Sequence, residues 1–504
     1  MKKIFINTIA VSALLLSYSC DTDFDKDVTE TQYTSGEADF SKYVSLGNSL
    51  TSGYRDNALY VDGQNESYPS MIAAQMQLAG GGEFKQPMMA DNIGGMPSIG
   101  VANKLVLAVN NGALGPVPAS GTGTTTLASI FSGGPYQNMG VPGAKSFHLG
   151  ADGYGNAAGV AVGKANPYFV RFASSASTSV LKDALAQKPT FFSLWIGNND
   201  VLSYATSGGS GKDQTGNLDP TTYGSNDITD PNVYKSVINS YLQALTAGGA
   251  KGVIANIPSV TAIPYFTTVP YNAVPLDNAT ATSLNQSLLG PLKQVLTAFG
   301  QGSRINLAAA GQNPILIMDK DLDPMKAQIT AGLTAAGLPA AQAAALGTYF
   351  SQARHATKDD LVVLTASSVI GKNPTSNPAP FDKLGVTFPL DDKYVLTSTE
   401  TARVTKATTA YNAAIAALAA QYNIAFVDAN AKMVELKQGS GIMFDGVKYT
   451  ATFVTGGTFS LDGVHLTGRG YGVIANEFIK AINMKYKSNL PQVNPNSYSG
   501  VTFP

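Results

Sequence analysis

The stretch "YVSLGNSLTSGY", residues 43–54, predicts a short buried strand that runs into a turn of small residues. Residues 43–46 are mostly apolar, as is typical of a parallel strand that is covered on both faces. The turn that follows, "GNSL", has no bulky polar side chain and carries one hydroxyl, that of Ser49. Two interpretations follow: an ordinary connection between a strand and a helix, or a serine nucleophile at the carboxyl edge of a sheet.

Three further apolar runs predict strands of the same sheet: "TFFSLWIG" (190–197), "KGVIANIP" (251–258) and "NIAFVDA" (423–429). Between and after them, apolar residues recur at helical spacing in residues 230–250, 397–422 and 470–486. This alternation favours an α/β class, a three-layer α/β/α domain whose central sheet is mainly parallel. We assign the domain to residues 42–488.

Two long connections exceed what a minimal version of this fold needs, and we interpret them as insertions at residues 80–134 and 259–395. The second contains a possible strand, "DLVVLTASSVIG" (360–371), and a strongly apolar stretch at 325–350. That stretch is either core or a lid facing an apolar substrate, and core is favoured. The tail, residues 489–504, is rich in Asn, Pro and Ser and is expected to be extended.

Residues 1–20 contain two lysines, an apolar run and small residues before Cys20, which is the pattern of a secretory signal peptide too short to span a membrane. A cysteine that closes such a segment resembles the lipobox of bacterial lipoproteins. The resemblance implies cleavage before Cys20, acylation of its sulfur and a location in the bacterial cell envelope. The alternative is plain secretion with a chance cysteine.

The segment after the cysteine, residues 21–41, is acidic and poor in aliphatic side chains. It has too little apolar surface to fold, so we expect a flexible tether between lipid and domain. Its acidity also resembles a surface-export signal, which favours the outer membrane, whereas Asp21 could signal retention in the inner membrane.

The composition of the 504-residue chain limits the classes of molecule that we expect it to bind. Charged residues make up 13 %, the formal net charge is −1 and no basic run is present, so nucleic acid is not an expected partner. The single cysteine excludes an intrachain disulfide. Three scattered histidines and one acylated cysteine give no basis for a metal site, and we predict no cofactor.

A serine nucleophile needs a base, and the only histidines are His148, His355 and His465. His465 follows Asp462 by three residues in "SLDGVHLTGRGYG", directly before a predicted helix. Across a tight turn, this spacing lets the carboxylate fix the tautomer of the imidazole and stabilise the imidazolium. A structural role is favoured for His355 and for His148, although His148 could line a pocket.

Two other turns supply candidate donors for an oxyanion. Asn199, in "LWIGNND", follows the most apolar strand, and its amide can donate to a developing negative oxygen. Gly143, in "YQNMGVPGAKS", allows its backbone N–H to approach a substrate without a steric cost. Gly140 lies in the same turn and is an alternative. Each residue taken alone is explained as well by an ordinary turn.

In chain order, "GNSL", "NMGVPGA", "GNND" and "DGVH" resemble blocks I, II, III and V of the SGNH (GDSL) hydrolase family. The resemblance implies a flavodoxin-like sheet with helices on both faces. Carried over by position, it implies Ser49 as nucleophile and donor, His465 as base, Asp462 as the group that orients it, and Gly143 and Asn199 as further donors. Asn48 stands where the commonest block I has Asp, a residue outside the catalytic set.

The resemblance thus implies a membrane-anchored serine ester hydrolase, an esterase or lipase that works by two-step acyl transfer. Its substrate would be an ester of an acyl lipid or an acylated glycan, and the apolar stretch at 325–350 favours acyl chains. The alternatives are a carbohydrate acetylesterase and a non-catalytic surface lipoprotein that binds glycan or lipid on the same fold. The intact candidate set argues against the non-catalytic alternative.

Overall fold

The computed structural model of the chain describes residues 32–110, 112–373 and 381–503. These residues form a mixed α/β structure around a five-stranded parallel sheet. The predicted signal peptide with Cys20, and residues 21–31 of the tether predicted at 21–41, lie outside the described residues. The described end of that segment differs from a flexible tether, because Ala38 and Phe40 are buried against the domain.

The strands of the described chain are β1 Tyr43–Gly47, β2 Leu105–Asn110, β3 Ala113–Pro118, β4 Asn138–Gly140, β5 Phe191–Trp195, β6 Lys251–Ala255, β7 Val274–Leu276, β8 Gly311–Asn313, β9 Leu316–Met318, β10 Ala353–His355, β11 Leu361–Val362, β12 Val395–Leu396, β13 Ala425–Val427, β14 Ile442–Phe444 and β15 Val447–Tyr449. The central sheet has the order β13-β6-β5-β1-β4, and all its neighbours are parallel. The predicted strands at 43–47, 190–197, 251–258 and 423–429 are therefore confirmed as β1, β5, β6 and β13.

The helices of the described chain are α1 Ser49–Ser52, α2 Val61–Asn65, α3 Tyr68–Gln77, α4 Pro167–Phe172, α5 Val180–Ala186, α6 Asn199–Thr206, α7 Pro231–Thr246, α8 Pro264–Thr267, α9 Asn278–Leu284, α10 Gly290–Ala298, α11 Lys326–Ala335, α12 Ala340–Tyr349, α13 Ser398–Gln421, α14 Ala429–Lys437 and α15 Gly468–Tyr486. The start of α13 follows from its sequence. The hydroxyl of Thr397 accepts from the N–H of Glu400, and the Glu400 carboxylate accepts from the N–H of Thr397.

Successive side chains of the sheet enter two hydrophobic clusters, because neighbouring residues of a strand point to opposite faces. Val44 and Phe192 pack with helices α5, α6, α7 and α13 on one face. Tyr43 and Phe191 pack with α3 and α15 on the other. Helices thus cover both faces of the sheet, as the nearly continuous apolar runs predict.

The chain order of the strands reverses at β1, which lies between β4 and β5. Connections on the two sides of such a point leave toward opposite faces, so a crevice forms at the carboxyl ends of the strands. The turns after β1, β4 and β5 therefore meet at one edge of the sheet.

The two segments that we interpret as insertions contain several small elements of their own. The strand predicted at 360–371 is wrong for most of its length, because only Leu361–Val362 is a strand and Leu364–Ser368 forms a 3₁₀ helix. Val362, Val363 and Ala366 are buried in the large cluster on one face of the sheet. Burial on several sides makes a run apolar whatever its secondary structure, so periodicity could not decide between the two.

The two ends of the described chain lie side by side. The N–H of Thr34 donates to the side chain of Asn489 at 2.6 Å, and Lys487 pairs with Glu37. Between residues 487 and 503 the described chain forms no strand, and one 3₁₀ turn lies at Pro495–Ser497. No helix within the described ranges is long and apolar enough to cross a membrane.

Candidate active site

The turn that carries Ser49 is tightly built. The N-cap Asn48 accepts a hydrogen bond from the N–H of Leu50 at 3.1 Å, which starts the single helical turn α1. Gly47 cannot carry a side chain, since a Cβ would lie 2.0 Å from the Thr51 hydroxyl. The helical turn ends at Gly53, whose φ is +82°. Small residues thus let the chain turn sharply and leave Ser49 at the edge of the sheet.

Ser49, His465 and Asp462 form one hydrogen-bonded chain, although they are far apart in sequence. The distance from Ser49 Oγ to His465 Nε2 is 2.8 Å. The distance from His465 Nδ1 to Asp462 Oδ2 is also 2.8 Å. With the proton on Nδ1 donated to the carboxylate, Nε2 is left to accept the proton of the Ser49 hydroxyl.

The Asp462 carboxylate is held firmly in place. Besides the imidazole, it accepts hydrogen bonds from the N–H groups of Asn57, Val464 and His465, and from the Ser460 hydroxyl. Burial alone would raise the pKa of Asp462, but the charge of His465 and these donors outweigh it and hold the pKa well below its usual range. The carboxylate is therefore ionised at neutral pH and fixes the imidazole that it faces.

The candidate oxyanion donors surround the same turn. The backbone N–H groups of Ser49 and Gly143 make no hydrogen bond within the described part of the chain. Gly143 has a φ of +80° and follows Pro142 in the turn after β4. Asn199 uses one amide hydrogen to hold this turn, since Nδ2 lies 2.9 Å from the Ala144 carbonyl. A second amide hydrogen of Asn199 is left over.

The alternative donor Gly140 is in a different position. Its N–H donates to the Asn138 side chain at 3.0 Å. It is the last residue of β4, and a Cβ there would lie 2.4 Å from the backbone nitrogen of Ser52. Gly143, with a free and exposed N–H, is therefore the better candidate of the two.

An apolar cleft opens at this edge of the sheet, and Ser49, Asn199 and His465 all line it. Its other walls include Leu50, Trp195, Val260, Ile263, Met433 and Phe459. Gly143 is not among the residues that line the cleft.

The apolar stretch at 325–350 does not contribute to this cleft. Its buried side chains, Ile329, Leu333 and Leu346 among them, belong to a separate cluster within the second insertion. The structure thus gives core packing for this stretch, and no residue of it within the described ranges lines the cleft. The insertion does reach the cleft at its start, through Val260 and Ile263.

The other two histidines lie away from the cleft. His148 stacks on Tyr154, and its Nδ1 accepts from the N–H of Lys145 at 3.1 Å. His355 Nδ1 accepts from the N–H of Asn306 at 3.0 Å. Burial lowers the pKa of each imidazole to about 4, so both are neutral at pH 7 and act as acceptors.

Sequence reasoning missed several residues of the site. The Tyr54 ring lies 4.7 Å from the His465 ring, centroid to centroid, and supports it from the side. Lys432 and Glu477 also line the cleft, and the sequence pattern does not distinguish either one from a charged surface residue. Within the described ranges, no group of three His, Cys, Asp or Glu side chains could hold a metal ion.

No family model matches the chain, and no curated protein matches it. Among solved structures, the chain is weakly similar to LAE5, described as an alpha/beta hydrolase enzyme from the metagenome of Lake Arreo, Spain. The likeness covers 88 % of this chain and 96 % of that chain, with 12 % sequence identity and a TM-score of 0.31. A likeness this weak carries no argument about the fold or the activity.

Proposed function

We propose that the chain is a serine ester hydrolase of the SGNH type. The observation that carries the proposal is the hydrogen-bonded chain from Ser49 through His465 to Asp462, with both distances at 2.8 Å. A buried carboxylate that orients an imidazole against a hydroxyl is the arrangement of a serine nucleophile and its base.

The sheet supports the SGNH type within this class. Numbered by their order in the chain, the five central strands have the spatial order 2-1-3-4-5. This is the order of flavodoxin-like doubly wound sheets. The candidate residues follow the carboxyl ends of β1, β4 and β5 or precede α15, so all four sequence blocks lie at the ligand-binding edge of such a sheet.

The proposed reaction begins with the Ser49 hydroxyl. His465 Nε2 takes its proton while Oγ attacks the ester carbonyl, and Asp462 stabilises the imidazolium that forms. The carbonyl oxygen becomes an oxyanion, which the N–H groups of Ser49 and Gly143 and the second amide hydrogen of Asn199 would stabilise.

The second half of the reaction reverses these proton transfers. The His465 imidazolium gives its proton to the leaving alcohol, and the acyl group stays on Ser49 Oγ. Water then attacks the acyl carbonyl while Nε2 takes one of its protons. The bond between the acyl carbon and Ser49 Oγ breaks, Nε2 returns the proton to Oγ, and the free acid departs. At the end of the cycle the Ser49 hydroxyl is protonated again and the His465 imidazole is neutral, as both were at the start.

We further propose that the chain is anchored in the bacterial envelope through acylated Cys20, on the evidence of its N-terminal sequence. Near the start of the described chain, Glu37 pairs with Lys487, the residue that follows α15. Because α15 begins beside His465 and rises about 28 Å over its length, the tether would leave the domain far from the cleft. Incorporation of labelled palmitate into the wild type, and its loss in Cys20→Ser, would test the anchor.

Labelling with a fluorophosphonate tests the hydrolase assignment directly. A soluble form beginning near residue 32 should be labelled, and it should hydrolyse p-nitrophenyl esters. Ser49→Ala should abolish labelling and lower kcat by about 10³-fold or more. Ser287→Ala, which removes an exposed hydroxyl that donates to the Ser283 carbonyl, is the matched control and should retain both. Equal labelling of wild type and Ser49→Ala would overturn the proposal and favour a non-catalytic binding protein.

A further inference from the structure

The cleft continues from Ser49 into a groove between α14 and α15. On α15 its wall is formed by Gly470, Val473, Ile474 and Glu477, a single stripe of one helix face. From the first to the last of these positions the helix rises about 10 Å. The groove therefore leads away from the sheet edge by about that length.

A charged pair joins α14 and α15 at the last position of α15 that lines the cleft. Lys432 Nζ on α14 lies 3.5 Å from Glu477 Oε2 on α15 and 2.9 Å from Glu435 Oε2. Glu477 is held from outside by Lys480, at 2.8 Å. The side chains of Lys432 and Glu477 are 30 % and 17 % exposed, so the pair is largely covered.

We propose that the Lys432–Glu477 pair closes the acyl groove and makes the enzyme selective for esters of medium-length acyl chains. The inference rests on the proposed function and adds a substrate class to it. Extended carbon chains with bonds of about 1.5 Å lengthen by about 1.3 Å per carbon, so about 10 Å accommodates roughly eight carbons.

The expected chain-length selectivity follows from the change from apolar to charged side chains along the groove wall. Up to the pair, methylene groups leave water for apolar side chains, and each should raise kcat/KM by roughly fourfold. A longer chain has to displace or desolvate the ion pair, and an ion that loses its partner in a covered site is strongly disfavoured. The increase in kcat/KM with each added methylene should therefore end once the acyl chain reaches the Lys432–Glu477 pair.

The test is the acyl-chain profile of kcat/KM on p-nitrophenyl acetate, butyrate, octanoate, laurate and palmitate. We expect wild type to prefer octanoate over palmitate by about tenfold or more. The double variant Lys432→Ala/Glu477→Ala removes both charges of the pair together, and their other partners, Glu435 and Lys480, are 42 % and 49 % exposed and stay hydrated. It should bring palmitate to within about threefold of octanoate.

The matched control is Lys182→Ala/Asp152→Ala, which removes an exposed ion pair outside the cleft and should leave the octanoate-to-palmitate ratio unchanged. A wild type that is active but prefers acetate, or a double variant with the wild-type ratio, would overturn this inference and leave the hydrolase assignment standing. A wild type that is inactive on the whole series and not labelled by fluorophosphonate would overturn both.

Discussion

The Asp200 carboxylate accepts two hydrogen bonds from Ser146, one from the backbone N–H at 2.8 Å and one from the hydroxyl at 2.6 Å. Asp200 is fully buried and directly follows Asn199, whose amide holds the Ala144 carbonyl. Two adjacent side chains at the start of α6 thus fasten the turn that carries Gly143. The position of this candidate oxyanion donor depends on Asp200, which lines no part of the cleft.

Asp200→Asn should lower kcat by about tenfold to a hundredfold, because its amide nitrogen cannot accept the second hydrogen bond from Ser146 and the Gly143 N–H shifts. Steady-state kinetics on octanoate esters would measure the effect, with KM expected to change less than kcat. Thermal denaturation provides the control. A lower melting temperature with an unchanged kcat would show that Asp200 supports the fold alone.

Asp462→Asn should lower kcat by about 10⁴-fold with the fold retained. An amide at this position can donate to Nδ1, which puts the imidazole proton on Nε2 and leaves no acceptor for the Ser49 hydroxyl. Asp56→Asn is the matched control, since this neighbouring carboxyl accepts from Leu461 and Tyr60 instead of the imidazole. Burial raises the pKa of Asp56, so a neutral replacement should be tolerated within about tenfold in kcat. Equal losses in the two variants would contradict the assigned role of Asp462.

Asn199→Ala should lower kcat by about 10²–10³-fold, the usual cost of removing one side-chain oxyanion donor. The neighbouring Asn198→Ala is the comparison, because Asn198 also lines the cleft but its side chain only accepts a weak hydrogen bond from Asn48 at 3.5 Å. We expect less than about tenfold for that change. If Asn198→Ala is the more damaging of the two, the donor has been assigned to the wrong amide.

The central sheet, and the meeting of the candidate site residues at its edge, could be predicted because both depend on short-range patterns in the sequence. A strand buried on both faces needs a continuous apolar run, and β1, β5 and β6 each have one. The edge strand β13 is also apolar, although its Phe426 is exposed. The turn around Ser49 needs small residues, which are visible in "GNSL". Parallel strands then bring the turns after them to the same edge, whatever the length of chain between them.

The groove could not be predicted, because its walls come from residues that are close only in the fold. Lys432 and Glu477 lie on two different helices, and nothing in either helix marks the one side chain that faces the other. The stretch at 325–350 has the same limitation for sequence reasoning. Its apolar residues predict that it is buried, but they do not predict which hydrophobic cluster it packs into. A small hydrophobic core inside an insertion and a lid over a substrate are both rich in apolar residues, so amino-acid composition does not distinguish them.

His355→Gln should make the stability of the fold less dependent on pH. His355 is 9 % exposed, and burial together with the charge of Lys293 lowers its pKa from 6.5 to about 4. The folded state thus disfavours protonation of His355. The stability that the neutral imidazole contributes is therefore fully present above pH 6.5 and is lost as the pH falls toward 4. The wild type should lose about 3 kcal/mol of unfolding free energy from this group. Urea denaturation at about pH 7 and about pH 4.5 should show a smaller difference for His355→Gln than for wild type. His148→Gln, at the other buried imidazole, should act in the same direction, whereas identical pH dependence in all three proteins would refute the neutral, buried state of these histidines.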